Sequence, residues 1–223
     1  MISLENIEPG GQRTLPVILI LDCSGSMAAD GKIEALNDSV IEMINELRVI
    51  DDSNGYITLS VVVFGGPTSR VTAKNIPVRD FAFDRLVASG LTPMGDAFNQ
   101  VELLINDRSA LPSSGYQPTL ALVSDGFPQP ALENELENLL SSERGMKSAR
   151  FALAIGSDAD RTLLQKFASD GHVHEAGEAS EIRHFLRWVT NTIVEKTRAI
   201  PTEDGVAPLS DRTREQFARG DSF

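Results

Sequence analysis

The stretch Val17-Ile18-Leu19-Ile20-Leu21-Asp22-Cys23-Ser24-Gly25-Ser26-Met27 decides how the rest of the chain is read. Five branched apolar residues follow one another with no polar residue between them, the pattern of a strand buried on both faces. Asp22 ends the run, and serines follow it at spacings of two and four. Behind this loop Ile33, Leu36, Val40, Ile41, Ile44 and Leu47 recur at helical spacing. Strand, loop and helix in that order form the unit from which parallel sheets are built.

Outward from this unit the pattern repeats. Tyr56 to Phe64 reads as a second strand, and Val71, Ala73, Ile76 and Val78 as an edge strand. Pro77 and the preceding Gly65-Gly66-Pro67 place that strand at an edge, returning antiparallel through a short connection. A helix is predicted through Ala97, Phe98, Val101, Leu104 and Ile105, then a strand from Thr119 to Val123 and a helix through Leu132, Leu136, Leu139 and Leu140. Phe151 to Ile155 is a further strand, Leu163, Leu164 and Phe167 a short helix, and His172 to Glu175 a last short strand. Ile182, Phe185, Leu186, Val189 and Ile193 mark the closing helix. The expected fold is α/β: a doubly wound, mostly parallel sheet with one antiparallel edge strand and helices on both faces. We divide the chain into an arm (1–14), one domain (15–197) and a tail (198–223). Pro201, Gly205 and Pro208 interrupt any helix in the tail, and Leu209 and Phe217 are the residues by which it would dock.

Of the 223 residues 41% are hydrophobic, enough to bury such a sheet. Lys and Arg number 20 against 32 Asp and Glu, a net charge of -12, which repels nucleic acid and anionic membranes. Residues 1 to 16 lack a basic start followed by an apolar core, and no apolar run could span a bilayer. The single cysteine, Cys23, cannot form an internal disulfide. The expectation is a cytoplasmic protein.

In open α/β sheets ligands gather beyond the carboxyl ends of the strands. Three loops qualify here: Asp22 to Met27; Gly90-Leu91-Thr92-Pro93-Met94-Gly95-Asp96, before the second long helix; and Ser124-Asp125-Gly126-Phe127-Pro128. Asp22, Ser24, Ser26, Thr92 and Asp125 together offer two carboxylates and three hydroxyls, all hard oxygen donors. Such a set suits Mg²⁺ or Mn²⁺, whereas Ca²⁺ would want more oxygens. Two carboxylates do no more than balance a divalent ion, so if one acts through water the ion stays electrophilic and accepts an Asp or Glu from a partner protein. That chemistry is recognition rather than turnover.

Asp22-x-Ser24-x-Ser26, Thr92 and Asp125 resemble the metal-ion-dependent adhesion site (MIDAS) of von Willebrand factor A (VWA) domains, and the order of elements over roughly residues 15 to 195 resembles that fold. Leu15-Pro16-Val17, Ser24-Gly25-Ser26-Met27, Ala88-Ser89-Gly90-Leu91-Thr92-Pro93-Met94-Gly95 and Asp125-Gly126-x-Pro128 are further similar to the bacterial TerY-type proteins of tellurium resistance and stress response. The resemblance implies that the five residues hold the metal, that the protein is no enzyme, and that its partner is a kinase, a phosphatase or another stress-response protein. Beside the site Cys23, Ser124 and Gln129-Pro130 depart from the residues common there.

Plainer roles stand beside these. Ser24 and Ser26 could satisfy loop amides, Thr92 before Pro93 has the form of an N-cap, and Asp96 suits a helix N-terminus. Cys23 lacks the arginine six positions on that a Cys-x5-Arg phosphatase needs, since Ala29 stands there, so it reads as a small packed side chain. His172 and His174 share a strand face but lack a third ligand, and read as surface or structural residues. The rival function is a Mg²⁺-dependent phosphohydrolase. Against it, Ser24 stands two residues after Asp22 where aspartyl-phosphate enzymes often keep an acid. A metal-free scaffold is the third reading.

Overall fold

The computed structural model describes residues 14–198 except 55, 113–114 and 129–131. Residues 1–13 of the arm, Gln129-Pro130 and the expected docking of the tail through Leu209 and Phe217 fall outside the described residues, whereas Thr14 opens the first strand.

The apolar run extends into β1 (Thr14–Asp22), buried from Leu15 onward. It lies at the centre of the sheet, between β2 (Tyr56–Gly65) and β4 (Thr119–Ser124), both parallel to it. Beyond β4 lie β5 (Ala149–Ile155) and β6 (Val173–Ala176), also parallel. On the other side β3 (Thr68–Pro77) returns antiparallel along β2, giving the order β3-β2-β1-β4-β5-β6. Pro77, which has no N–H to give a ladder, is the last residue of this edge strand. The expected mostly parallel sheet with one antiparallel edge is therefore the observed one.

Strand alternation divides the core into two layers. Val17, Leu19 and Leu21 face the long helices α1 (Lys32–Asn54) and α6 (Ser180–Arg198). Ile18 and Ile20 face α2 (Met94–Asn106), α3 (Glu133–Ser141) and α5 (Arg161–Phe167). Between α3 and β5 lies α4 (Glu143–Lys147), a single turn too short to show a hydrophobic period in the sequence.

Residues 78–93 connect β3 to α2 without regular structure, yet Val78, Phe81 and Leu86 are buried in the α1–α6 layer. Their carbonyls, and the Leu86 amide, are met by α1. Arg48 donates to the Val78 and Phe81 carbonyls, and Asn37 both donates to the Leu86 carbonyl and accepts its N–H, at 2.9 and 2.8 Å. The segment starts beside Ile57, near the beginning of β2, and ends beside Cys23 and Gly66, past the strands' carboxyl ends. It is thus the carrier that brings Thr92 to the rim where β1 and β4 end.

Candidate metal centre

Sheet register assembles the first part of the site. Leu21 pairs with Val123, so the next residues, Asp22 and Ser124, leave the sheet side by side. Asp22 is buried and both its oxygens accept hydrogen bonds: Oδ1 from the Ser24 N–H at 2.8 Å, Oδ2 from the Ser124 hydroxyl at 2.6 Å. Burial pushes its carboxyl above the ordinary value. The bonds from Ser124 and Ser24 oppose that shift, and the nearby charge of Asp125 adds to it. Two buried carboxylates thus lie near one another at the ends of β1 and β4, an arrangement that a cation relieves.

The loop after β1 is a short 3₁₀ turn, Gly25–Ala28, with Ser24 at its N-cap position. The Ser24 side chain makes no cap bond there. Instead its Oγ lies 3.0 Å from the Ser26 Oγ, and the Ser26 hydroxyl donates to Asp125 Oδ1 at 2.6 Å. Asp125, also buried, accepts at its other oxygen from Lys32 Nζ at 2.8 Å. Thr92 is not the cap, since Pro93 holds the cap position of α2, and Asp96 lies exposed in its first turn, where an acid suits the helix N-terminus. Thr92 Oγ1 points toward Asp125's loop. A methyl group at Gly126 would sit 3.5 Å from it and 3.6 Å from Ser26 Oγ, so Gly126 forms the wall that both hydroxyls face.

Close backbone packing holds the Thr92 loop in place. Gly90, at φ +70°, and Gly66 cross so tightly that a Cβ on Gly90 would fall 2.7 Å from the Gly66 nitrogen, and nearer still to its Cα. Gly25 N–H donates to the Gly90 carbonyl, Gly66 N–H to Ser89, Leu91 N–H to Gly66, and Ser89 N–H to Cys23. The Gly65-Gly66 pair, read in the sequence as a turn signal, thus also serves to seat this loop. Cys23 is a buried free thiol whose Sγ packs against Gly65, and burial raises its pKa.

All five residues singled out in the sequence therefore lie on three loops at one end of the sheet. Two contributors lie outside the expected ligand set: Ser124, noted in the sequence only as a departure beside the site, which fixes Asp22, and Lys32, which carried no sequence signal and reaches Asp125 across 93 positions. His172 and His174 lie elsewhere. Their rings meet at 4.9 Å, and His174 packs on Trp188 at 4.4 Å and Phe185 at 5.3 Å, a structural role. Among the described residues no three His, Cys, Asp or Glu side chains are grouped so as to hold a metal ion by themselves, so an ion in this centre would draw on hydroxyls. The donor set fits a hard divalent ion: oriented carboxylates, hydroxyls and no imidazole or thiolate ligand.

The profile of the von Willebrand factor type A domain matches residues 17–187. The chain belongs to this family. The family's domains are protein-interaction modules, often with a metal site at MIDAS. Among solved structures, the pilus adhesin SpaC from Lactobacillus rhamnosus GG superposes with a TM-score of 0.68 at 14% identity, over 84% of this chain and 31% of the adhesin. Proximal thread matrix protein 1 from the mussel byssus, with a zinc-occupied MIDAS motif, gives 0.63 at 17% identity, over 82% of this chain and 48% of that one. A von Willebrand factor type A protein from Catenulispora acidiphila gives 0.62 at 20% identity, over 84% and 43%. At these identities the likeness is one of fold. This VWA chain spans between 31% and 49% of the length of the first three structures it resembles. No curated protein matches it. Among the described residues no helix is long and apolar enough to cross a membrane.

Proposed function

We propose that this VWA domain binds a partner protein through a divalent ion, Mg²⁺ or Mn²⁺, held by Asp22, Ser24, Ser26, Thr92 and Asp125. One observation carries the reading: two buried carboxylates, at the ends of the neighbouring strands β1 and β4, share one cluster with the Ser24, Ser26 and Ser124 hydroxyls. Bound there, the ion supplies a positive point to which a carboxylate can add. Leu91 and Phe127, next to Thr92 and close behind Asp125, are 58% and 66% exposed and give the site an apolar rim. They suit a partner Asp or Glu flanked by apolar side chains. Ser24 stands two residues after Asp22, where aspartyl-phosphate enzymes often keep an acid, and both Asp22 oxygens are engaged by Ser24 and Ser124, which favours binding over phosphoester hydrolysis.

A cytoplasmic setting follows from the composition and the lone cysteine. Kinship with TerY-type proteins, and hence a kinase, phosphatase or other stress-response partner, rests on the sequence motifs alone. The test is calorimetric titration of Mg²⁺ and Mn²⁺ into the wild-type domain and Asp22→Asn, followed by capture of partners with Mg²⁺ and with chelator. Wild type is expected to take one ion and to retain a partner only with metal. A domain that takes no ion, or holds the same partners in chelator, refutes the reading. Metal-dependent turnover of a phosphate ester lost in Asp22→Asn would establish the hydrolase instead.

A further inference from the structure

Lys32 is the feature that this function leaves unused. Its ammonium contacts Asp125 Oδ2 at 2.8 Å, with 18% of the Lys32 side chain exposed and none of the Asp125 carboxylate. Lys32 opens α1 immediately behind the Asp22 loop, so the same backbone turn that presents Ser24 and Ser26 also delivers a cation to the facing carboxylate. On its other side Lys32 lines a cleft of about 580 Å³ at the ends of β5 and β6. Asp30, Asp158 and Glu178 line this cleft too, all exposed, and among its described lining residues Lys32 is the one cation. A Cβ at Gly156 would lie 3.9 Å from Nζ, an ordinary contact that puts the ammonium at the wall of this cleft.

Resting on the metal reading above, we propose that Lys32 is an internal competitor of the divalent ion: it holds Asp125 in the metal-free protein and is displaced toward the acidic cleft when metal binds. Two cations cannot both take the full charge of one carboxylate at contact distance without repelling each other. The ammonium reaches its second position by rotation of its own side chain, because Asp30 lies two residues away and Asp158 and Glu178 border the same opening. Metal affinity is thereby lowered by the free energy of one charge-assisted hydrogen bond. The gain is that the buried Asp125 carboxylate, which Ser26 serves only as a neutral donor, is never without a countercharge.

Calorimetric titration of Mg²⁺ into Lys32→Met, Lys32→Arg and wild type tests this. Lys32→Met is expected to bind Mg²⁺ about tenfold more tightly, and Lys32→Arg within about threefold of wild type. Equal or weaker binding by Lys32→Met overturns the inference while leaving the metal site standing. Failure of wild type and Lys32→Met alike to bind Mg²⁺ removes the site and the inference together. Should Lys32→Met not fold, amine acetylation mapped by mass spectrometry on wild type decides: Lys32 is expected to react faster with Mg²⁺ present, and an unchanged rate overturns the proposal.

Discussion

Gly90→Ala perturbs the site without touching a ligand. Gly90 sits at φ +70°, where an alanine costs about 1 kcal/mol. Its new methyl would also overlap the backbone of Gly66, at 2.7 Å from the nitrogen, and backbone cannot rotate aside as a side chain can. Relief requires the Thr92 loop to part from the end of β2. That breaks the bonds from Gly66 N–H to Ser89 and from Leu91 N–H to Gly66, and strains the one from Gly25 N–H to Gly90, at about 1 kcal/mol each. The sum is about 3–4 kcal/mol, or roughly 6–16 °C in Tm for a domain of this size. Gly171→Ala is the control. It has the same backbone hand, φ +68°, with nothing within 4 Å of the added methyl, and should lose only about 1 kcal/mol, roughly 2–4 °C. Thermal melts with and without Mg²⁺ separate the two. Gly90→Ala should also lose most of the Mg²⁺-induced rise, because Thr92 has moved, whereas Gly171→Ala should keep it. If Gly90→Ala melts with Gly171→Ala and retains the full rise, the Gly66–Gly90 crossing does not position the site.

Asn37→Ala should cost about 2–4 kcal/mol in urea unfolding, because it strands both the Leu86 carbonyl and the Leu86 N–H; a loss under about 0.5 kcal/mol would show that α1 does not hold the 78–93 segment. His174 gives a pH dependence: burial against Trp188 and Phe185, with His172 adding to it and Asp170 opposing, lowers its pKa from 6.5 to about 4. A depressed folded value means stability present above about pH 6.5 and lost as the pH falls toward 4, on the order of 1–2 kcal/mol once partial exposure is allowed for. His174→Phe should flatten that part of the curve of unfolding free energy against pH, and an unchanged slope would assign it to other groups.

Much of the fold was legible because its signals are local. Val17 to Leu21 could only be a doubly buried strand, and Pro77 with Gly65-Gly66 could only edge the sheet. The candidate ligands were legible for a related reason. Loops after parallel strands share one end of the sheet, so oxygen donors after β1 and β4 are neighbours by topology. Thr92 is different, because it precedes a helix and follows no strand. Its placement depends on residues 78–93 climbing alongside α1, held by Arg48 and Asn37, and no hydrophobic period marks such a segment. In the sequence Thr92-Pro93 has the form of a helix cap, whereas Pro93 takes the cap position and leaves the threonine to the site.

Lys32 was illegible on other grounds. At the start of an amphipathic helix a lysine is ordinarily a solvated charge, and its composition-level effect is one unit in a net charge of -12. What gives it meaning is the end of β4, which places a buried carboxylate within reach of that ammonium. The electrostatics of the centre are therefore unequal between its two acids. Asp125 already faces a positive charge, while Asp22 is held by neutral donors alone, and burial raises the Asp22 pKa despite them. On the proposed reading an entering divalent ion would relieve Asp22 directly and would have to displace an ammonium from Asp125.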